Sequence, residues 1–354
     1  MGTTGFMPMD YRQLGRAGIR LSAVCLGTMT FGQQNSEAEG HAQMDYALDR
    51  GINIFDASEL YPIPPKPETQ GRTEEIIGTW LASRRIRDKI MIATKAIGRT
   101  KMDWLRRDRI RGRQSRAQLT EAIDRSLKRL QTDYVDLYQL HWPDRPMRIF
   151  EGLDYVHFEG ESHSIEEILG VLAEFVQQGK IRFVGLSNET PWGVMSFLKA
   201  SDVAGLPRIV SIQNAFNLVN RSFDTGLSEI FYREQVSLLA YSPLGQGYLS
   251  GKYEGGAVPP GSRKGLFDRL GRYELGNGPR AISTYVALAR KHGLDPAQMA
   301  LAFVTSRPFV TSTIIGATTM DQLKTDIDGA LLKLPDEVLK DIEGIHLTFP
   351  NPCP

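Results

Sequence analysis

The chain has 354 residues, 41% hydrophobic and 23% charged, with a formal net charge of +1. That balance leaves no electrostatic footprint for nucleic acid or an anionic membrane, and two cysteines, Cys25 and Cys353, make neither a disulfide framework nor a metal cluster. The first ten residues lack a basic stretch followed by an apolar core, and no apolar run reaches about 18 residues, so a cytoplasmic location without a membrane span is expected.

Residues 11–21 alternate around Gly15 and Gly18 and read as a short β-hairpin ahead of the main fold. Short apolar runs then alternate with stretches of helical periodicity. Strands are expected at 22–29, 53–57, 89–95, 134–141, 181–187, 209–213, 237–241 and 312–316. Helices are expected between them at 36–50, 73–85, 115–131, 164–178, 191–200, 225–235, 279–292, 296–306 and 319–330, with one more at 336–345 before a Pro-rich tail. The pattern is clearest at 115–131, where Leu119, Ile123, Leu127 and Leu130 recur every three or four positions. Eight strands, each followed by helical sequence, imply an all-parallel sheet. Eight such units in this length suit a closed (β/α)8 barrel, with a doubly wound open sheet as the alternative. No linker or repeat divides the chain, so 1–354 reads as one domain, with the hairpin at 1–21 and the last helix and tail at 335–354. Three connections are unusually long, at 98–113, 142–163 and 244–278. All follow strands, and so belong to the face where barrel enzymes keep their chemistry.

In a parallel barrel every strand end opens on the same mouth. Collecting the polar strand ends gives Asp56, Lys95, His141, Ser187, Asn188, Gln213 and Tyr241, with Tyr61 just past the second strand. Singly, each has a plain explanation: Lys95 as a solvated strand end, His141 as a hydrogen-bonded core histidine. Together they suggest a tuned phenol. An ammonium beside a tyrosine favours the phenolate and lowers a pKa ordinarily near 10, and a buried carboxylate holds the ammonium charged. Such a phenol can give a proton to a carbonyl oxygen or take it back from an alcohol, and an imidazole can orient the carbonyl. No side chain supplies hydride, so a cofactor must.

The stretches Leu26–Gly32, Asp56–Tyr61, Ala93–Lys95, Ser126–His141, Gly179–Asn188 and Tyr241–Gly245 carry a resemblance over almost the whole chain. The sequence is similar to the aldo-keto reductase superfamily, in its long-loop, Tas-like bacterial branch related to potassium-channel beta subunits. The resemblance puts a catalytic tetrad on Asp56, Tyr61, Lys95 and His141. It implies NADPH or NADP+ bound without a Rossmann motif: Thr28 and Asp56 at the cofactor site, Ser187, Asn188 and Gln213 on the nicotinamide amide, and Tyr241 stacked under its ring. Ser242, Leu244, Gly245 and Gly247, with Ser250 and Lys252, would line the pyrophosphate. Arg263 would reach the adenine or ribose-phosphate end. Gly316, Thr318, Thr319 and Gln322 would hold the 2′-phosphate and adenine. Thr319 and Gln322 also have capping-box spacing, which opens a helix suited to an anion. Asp326 departs from the family's usual Asn; it would repel a phosphate yet could accept from an adenine amino group or ribose hydroxyl.

Phe31, Leu60, Trp104, Trp142, Tyr155 and Phe158 are candidate walls of an aromatic pocket, suited to a bulky apolar carbonyl. Six arginines between Arg106 and Arg116 read as a solvated loop surface or an anion-recognition patch. The expected partner is a small-molecule carbonyl or alcohol. The chemistry could serve carbonyl reduction or, in the manner of channel beta subunits, a cofactor-binding regulatory module. The sequence does not choose between monomer and homo-oligomer.

Overall fold

The computed structural model describes residues 8–150, 152–267 and 271–354. Strands β1 (Tyr11–Gln13) and β2 (Arg20–Ser22) pair antiparallel as the expected hairpin. The strands β3 (Val24–Gly27), β4 (Ile54–Asp56), β5 (Met91–Ala96), β6 (Val135–Leu140), β7 (Ile181–Ser187), β8 (Ile209–Ala215), β9 (Ser237–Tyr241) and β10 (Val310–Ile315) follow in chain order. All eight are parallel, each hydrogen-bonded to its sequence neighbours, and β10 closes on β3. The fold is therefore a (β/α)8 barrel.

Strand parity builds the interior. Cys25, Ile54, Ala93, Leu137, Val210, Leu239 and Ile314 point inward and pack together. Their neighbours Val24, Phe55, Ile92 and Tyr138 point outward into the helix layer, because successive strand residues face opposite ways. The hairpin seals the bottom. Leu14 and Leu21 join the interior cluster, and the Gly15 amide donates to Ser237 Oγ at 2.8 Å. Only glycine fits there: φ is +47°, and a Cβ would meet the carbonyl oxygens of Gln235 and Val210 at 2.6 Å.

The outer layer contains α1 (Glu37–Asp49), α2 (Arg72–Arg84), α3 (Arg116–Leu130), α4 (Ile165–Gln177) and α5 (Pro191–Ala204). Ser36 with Glu39 and Ser164 with Glu167 form capping boxes, and Ser115 caps α3. The helix expected at 225–235 is two short ones, α6 (Ser222–Gly226) and α7 (Ser228–Glu234). They break where Leu227 leaves helical geometry and turns its side chain inward. The long last connection carries α8 (Arg263–Phe267), followed by α9 (Gly278–Lys291), α10 (Pro296–Ser306), α11 (Met320–Ala330) and α12 (Asp336–Thr348). No helix among the described residues is long and apolar enough to cross a membrane.

Candidate active site

Asp56 ends β4 and Lys95 lies near the end of β5, both on the inward parity of their strands. Lys95 Nζ donates to Asp56 Oδ2 at 2.6 Å and to the Ala57 carbonyl at 2.7 Å. The other carboxylate oxygen accepts from Gln213 Nε2 at 2.8 Å and Gln139 Nε2 at 3.2 Å. Asp56 is 3% exposed and Lys95 fully buried, so the pair depends on these surrounding bonds.

Tyr61 is delivered by the turn after β4, whose Ser58 carbonyl accepts from the Tyr61 amide at 3.1 Å. The Lys95 ammonium lies 4.9 Å from the Tyr61 ring centroid, close enough for its charge to act on the phenol. His141, just past β6, meets Tyr61 edge-on with centroids 5.7 Å apart. The acid, ammonium, phenol and imidazole thus converge at the C-terminal end of adjacent strands.

Burial presses the Lys95 ammonium down, but Asp56 and Tyr61 outweigh it and hold the group above the ordinary lysine value. The phenol behaves otherwise than expected from sequence. Burial pushes Tyr61 above the ordinary tyrosine value, and Lys95 opposes that without cancelling it. Tyr61 is thus a protonated phenol beside a charged ammonium, ready to donate. Burial, with Lys95 second, drives His141 well below the ordinary histidine range, so the imidazole is neutral.

A second network runs around the rim. Tyr241 Oη donates to Asn188 Oδ1 at 2.6 Å, and Asn188 Nδ2 donates to the His141 carbonyl at 2.8 Å. Ser187 Oγ donates to the Gln213 carbonyl at 2.8 Å. Burial raises the Tyr241 phenol to about 12. Asn188, Ser242, Gly245, Gln246 and Gly247 all have positive φ. Such a cluster of left-handed residues, three of them not glycine, marks backbone strain held where strands become functional loops.

At the far side, Thr28 Oγ1 donates to the Asp56 carbonyl at 2.7 Å. Thr319 caps α11, accepting from the Gln322 amide at 3.2 Å. The Gln322 side chain reaches Thr318 rather than Thr319, accepting from its amide and hydroxyl at 3.0 Å each, so the capping box is shifted by one residue. Asn35 and Gln43 donate to the Thr318 and Ala317 carbonyls, tying the loop after Gly316 to the first βα unit. Burial raises the Asp326 carboxyl to about 7 against the pull of Lys252. On the loop after β9 that carries Leu244 and Lys252, Ser250 Oγ donates to the Gly247 carbonyl at 2.8 Å. Arg263, expected at the adenine end, opens α8 in the loop after β9.

The candidate pocket walls divide. Leu60, Trp104 and Trp142 join Tyr61, Ile97 and Leu105 in one apolar cluster. Phe31 is not at the mouth: it is fully buried between α1 and α2, where Gly40 leaves room for its ring. Tyr155 and Phe158 are 76% and 43% exposed on the outer part of the 142–163 loop, and the Tyr155 hydroxyl pairs with His157 at 2.9 Å. The base of that loop is pinned where Asp144 accepts from Arg113, the Gln114 amide and His163. A cavity of about 580 Å³ opens beside that base, between α4 and α5, and touches the site only through Trp142 and Ser187.

Three further residues at the site have no place in the sequence reading. Gln139 joins Asp56 to Gln213, Ser58 bonds His141, and Glu59 binds Arg106 through two bonds of 2.6 and 2.8 Å. Parity with Leu137 and His141 could have identified Gln139.

Residues 23–346 match the model of the aldo/keto reductase family. The chain belongs to the aldo/keto reductase family. This aldo/keto reductase is 50% identical to protein tas of Escherichia coli over 98% of the chain and all of that protein. It is 35% identical to an aldo-keto reductase of Babesia bovis, over 75% of the chain and 98% of that protein. It is 31% identical to the L-glyceraldehyde 3-phosphate reductase of Escherichia coli, over 90% of the chain and 87% of that protein. The family is one of oxidoreductases that generally use NAD(P)H.

Proposed function

We propose that this aldo/keto reductase is an NADPH-dependent reductase of aldehydes and ketones, working reversibly on the corresponding alcohols, with Tyr61 as the proton donor. The observation that carries the reading is the buried Tyr61 phenol with the Asp56-bound Lys95 ammonium 4.9 Å from its ring and the His141 imidazole edge-on to it. No metal-binding cluster competes with it among the described residues.

The residues present fit the cofactor. A strained backbone at Asn188, Ser242 and Gly245–Gly247 borders the mouth, and a capped helix begins at Met320. Ser187, Asn188 and Gln213 would hold the nicotinamide amide, Tyr241 its ring, Gly247 and Lys252 the pyrophosphate, and Thr318 and Thr319 the 2′-phosphate. NADPH, when bound, supplies the hydride. Tyr61 gives its proton to the carbonyl oxygen as negative charge develops there. Lys95 stabilises the resulting phenolate, and Asp56 keeps Lys95 charged and fixed. His141 donates to the same oxygen and orients it. Leu60, Trp104 and Trp142 favour a bulky apolar substrate.

The test is NADPH oxidation across aromatic and aliphatic aldehydes and ketones, repeated with NADH. Turnover of an aromatic aldehyde with NADPH is expected. No turnover on any carbonyl with either nucleotide would overturn the proposal.

A further inference from the structure

We infer that Ser58 is a positioning residue that fixes the tautomer of His141 and so makes the imidazole a hydrogen-bond donor to the reacting carbonyl. The inference about the reaction rests on the proposed reductase activity; the tautomer assignment does not.

Ser58 Oγ lies 3.0 Å from His141 Nδ1 and is fully buried. A hydroxyl has one proton to give and two lone pairs to fill. The Leu60 amide donates to Ser58 Oγ at 3.2 Å and takes one lone pair. Two arrangements remain. If Nδ1 carried a proton and donated to Ser58, the serine proton would point into a buried space with no acceptor among the described residues. If Ser58 donates to Nδ1, every group is satisfied, and buried polar groups are almost always paired. The second arrangement leaves Nδ1 as acceptor, so a neutral ring carries its proton on Nε2. Burial and the Lys95 charge keep the ring neutral.

Nε2 has no hydrogen-bond partner among the described residues. The ring stands at 80° to Tyr61 and tilts at 41° to Trp142. A carbonyl oxygen receiving the Tyr61 proton would also meet the Nε2–H. With the opposite tautomer it would meet a lone pair and be repelled. Ser58 also carries the turn that presents Tyr61, through its own carbonyl. One residue thus sets the place of the phenol and the polarity of the imidazole.

The experiment is ¹⁵N NMR of the full chain labelled at histidine, without cofactor and at neutral pH, with His141 assigned by the spectrum of His141→Gln. The expected result is a pyrrole-type shift at Nε2 and a pyridine-type shift at Nδ1. A pyrrole-type Nδ1 overturns the inference. Ser58→Ala is expected to move both shifts toward the averaged values of a ring exchanging tautomers. Its kcat should fall roughly tenfold or more, less than the ~10²–10³-fold cost of losing an oxyanion donor outright because the exchanging ring still presents Nε2–H part of the time, with KM and NADPH affinity within about twofold of wild type. An unchanged kcat overturns the positioning role. If the wild type reduces no carbonyl, the reductase proposal falls, while the wild-type spectrum still decides the tautomer.

Discussion

Arg106 stands in an arginine-rich loop, yet its side chain is fully buried and its guanidinium clasps Glu59, which is 1% exposed. Among the described residues Glu59 otherwise accepts on its side chain only from the Ile97 amide at 2.9 Å. The pair flanks the Asp56, Tyr61 and Lys95 side chains in sequence, since Glu59 precedes Tyr61 by two residues and Ile97 follows Lys95 by two. Arg106→Met would strand a carboxylate in the interior with one donor. Breaking a buried pair from one side costs about 3–5 kcal/mol, most of it from the charge left behind. The assay is urea unfolding with an unchanged slope, where the midpoint should drop by roughly 1 M or more. Adding Glu59→Gln removes the stranded charge and should recover at least about half of the loss, so the double variant is more stable than Arg106→Met alone. A loss under about 1 kcal/mol, typical of a solvated surface arginine, would refute the reasoning.

The pH profile of kcat at saturating NADPH should be level between about 6.5 and 10, because His141 gains its proton only well below the ordinary histidine value and Tyr61 loses its own only above the ordinary tyrosine value, while the ionisation of Asp326 acts on cofactor affinity alone. An activity limb inside that window would contradict the assignment. Asp326 has its pKa raised from 3.8 to about 7, so its ionisation costs stability as pH rises between those values and the full cost stands above 7. Asp326→Asn should therefore stabilise the cofactor-free protein by up to about 4 kcal/mol at pH 8 but only about 1 kcal/mol at pH 4.5, read by denaturant unfolding. Equal effects at both pH values would exclude the buried-acid account. Trp142→Ala should raise KM for a bulky aldehyde severalfold, while Tyr155→Ala, on the exposed loop, should leave it unchanged; steady-state kinetics checks both.

The barrel was legible because its signal is local: apolar runs alternating with helical periodicity, and caps such as Ser36 and Ser164. The tetrad was legible because a parallel barrel collects strand ends, so Asp56, Lys95 and His141 meet without any knowledge of long-range contacts. What escaped depends on partners distant in sequence. The arginine run divides into residues with opposite fates: Arg106 buried on Glu59, Arg113 on Asp144, Arg107 with its side chain 85% exposed. Composition cannot separate these, because the carboxylates lie tens of residues away. The burial of Phe31 and the exposure of Tyr155 are hidden for the same reason, since aromatic character does not say which way a loop faces. The direction of the Tyr61 shift is not legible in the sequence, because a charged neighbour is visible there and the depth of burial opposing it is not. Ser58 gives no signal in the sequence because its partner, His141, lies 83 residues away.

The most direct test of the account is a single turnover. Protein preloaded with NADPH is mixed with an aromatic aldehyde, and loss of nicotinamide absorbance is followed for wild type and Tyr61→Phe. The account predicts that the variant binds NADPH with an affinity within about twofold of wild type but oxidises it at least about 100-fold more slowly, since it lacks only the proton donor. Oxidation by Tyr61→Phe at the wild-type rate would contradict it.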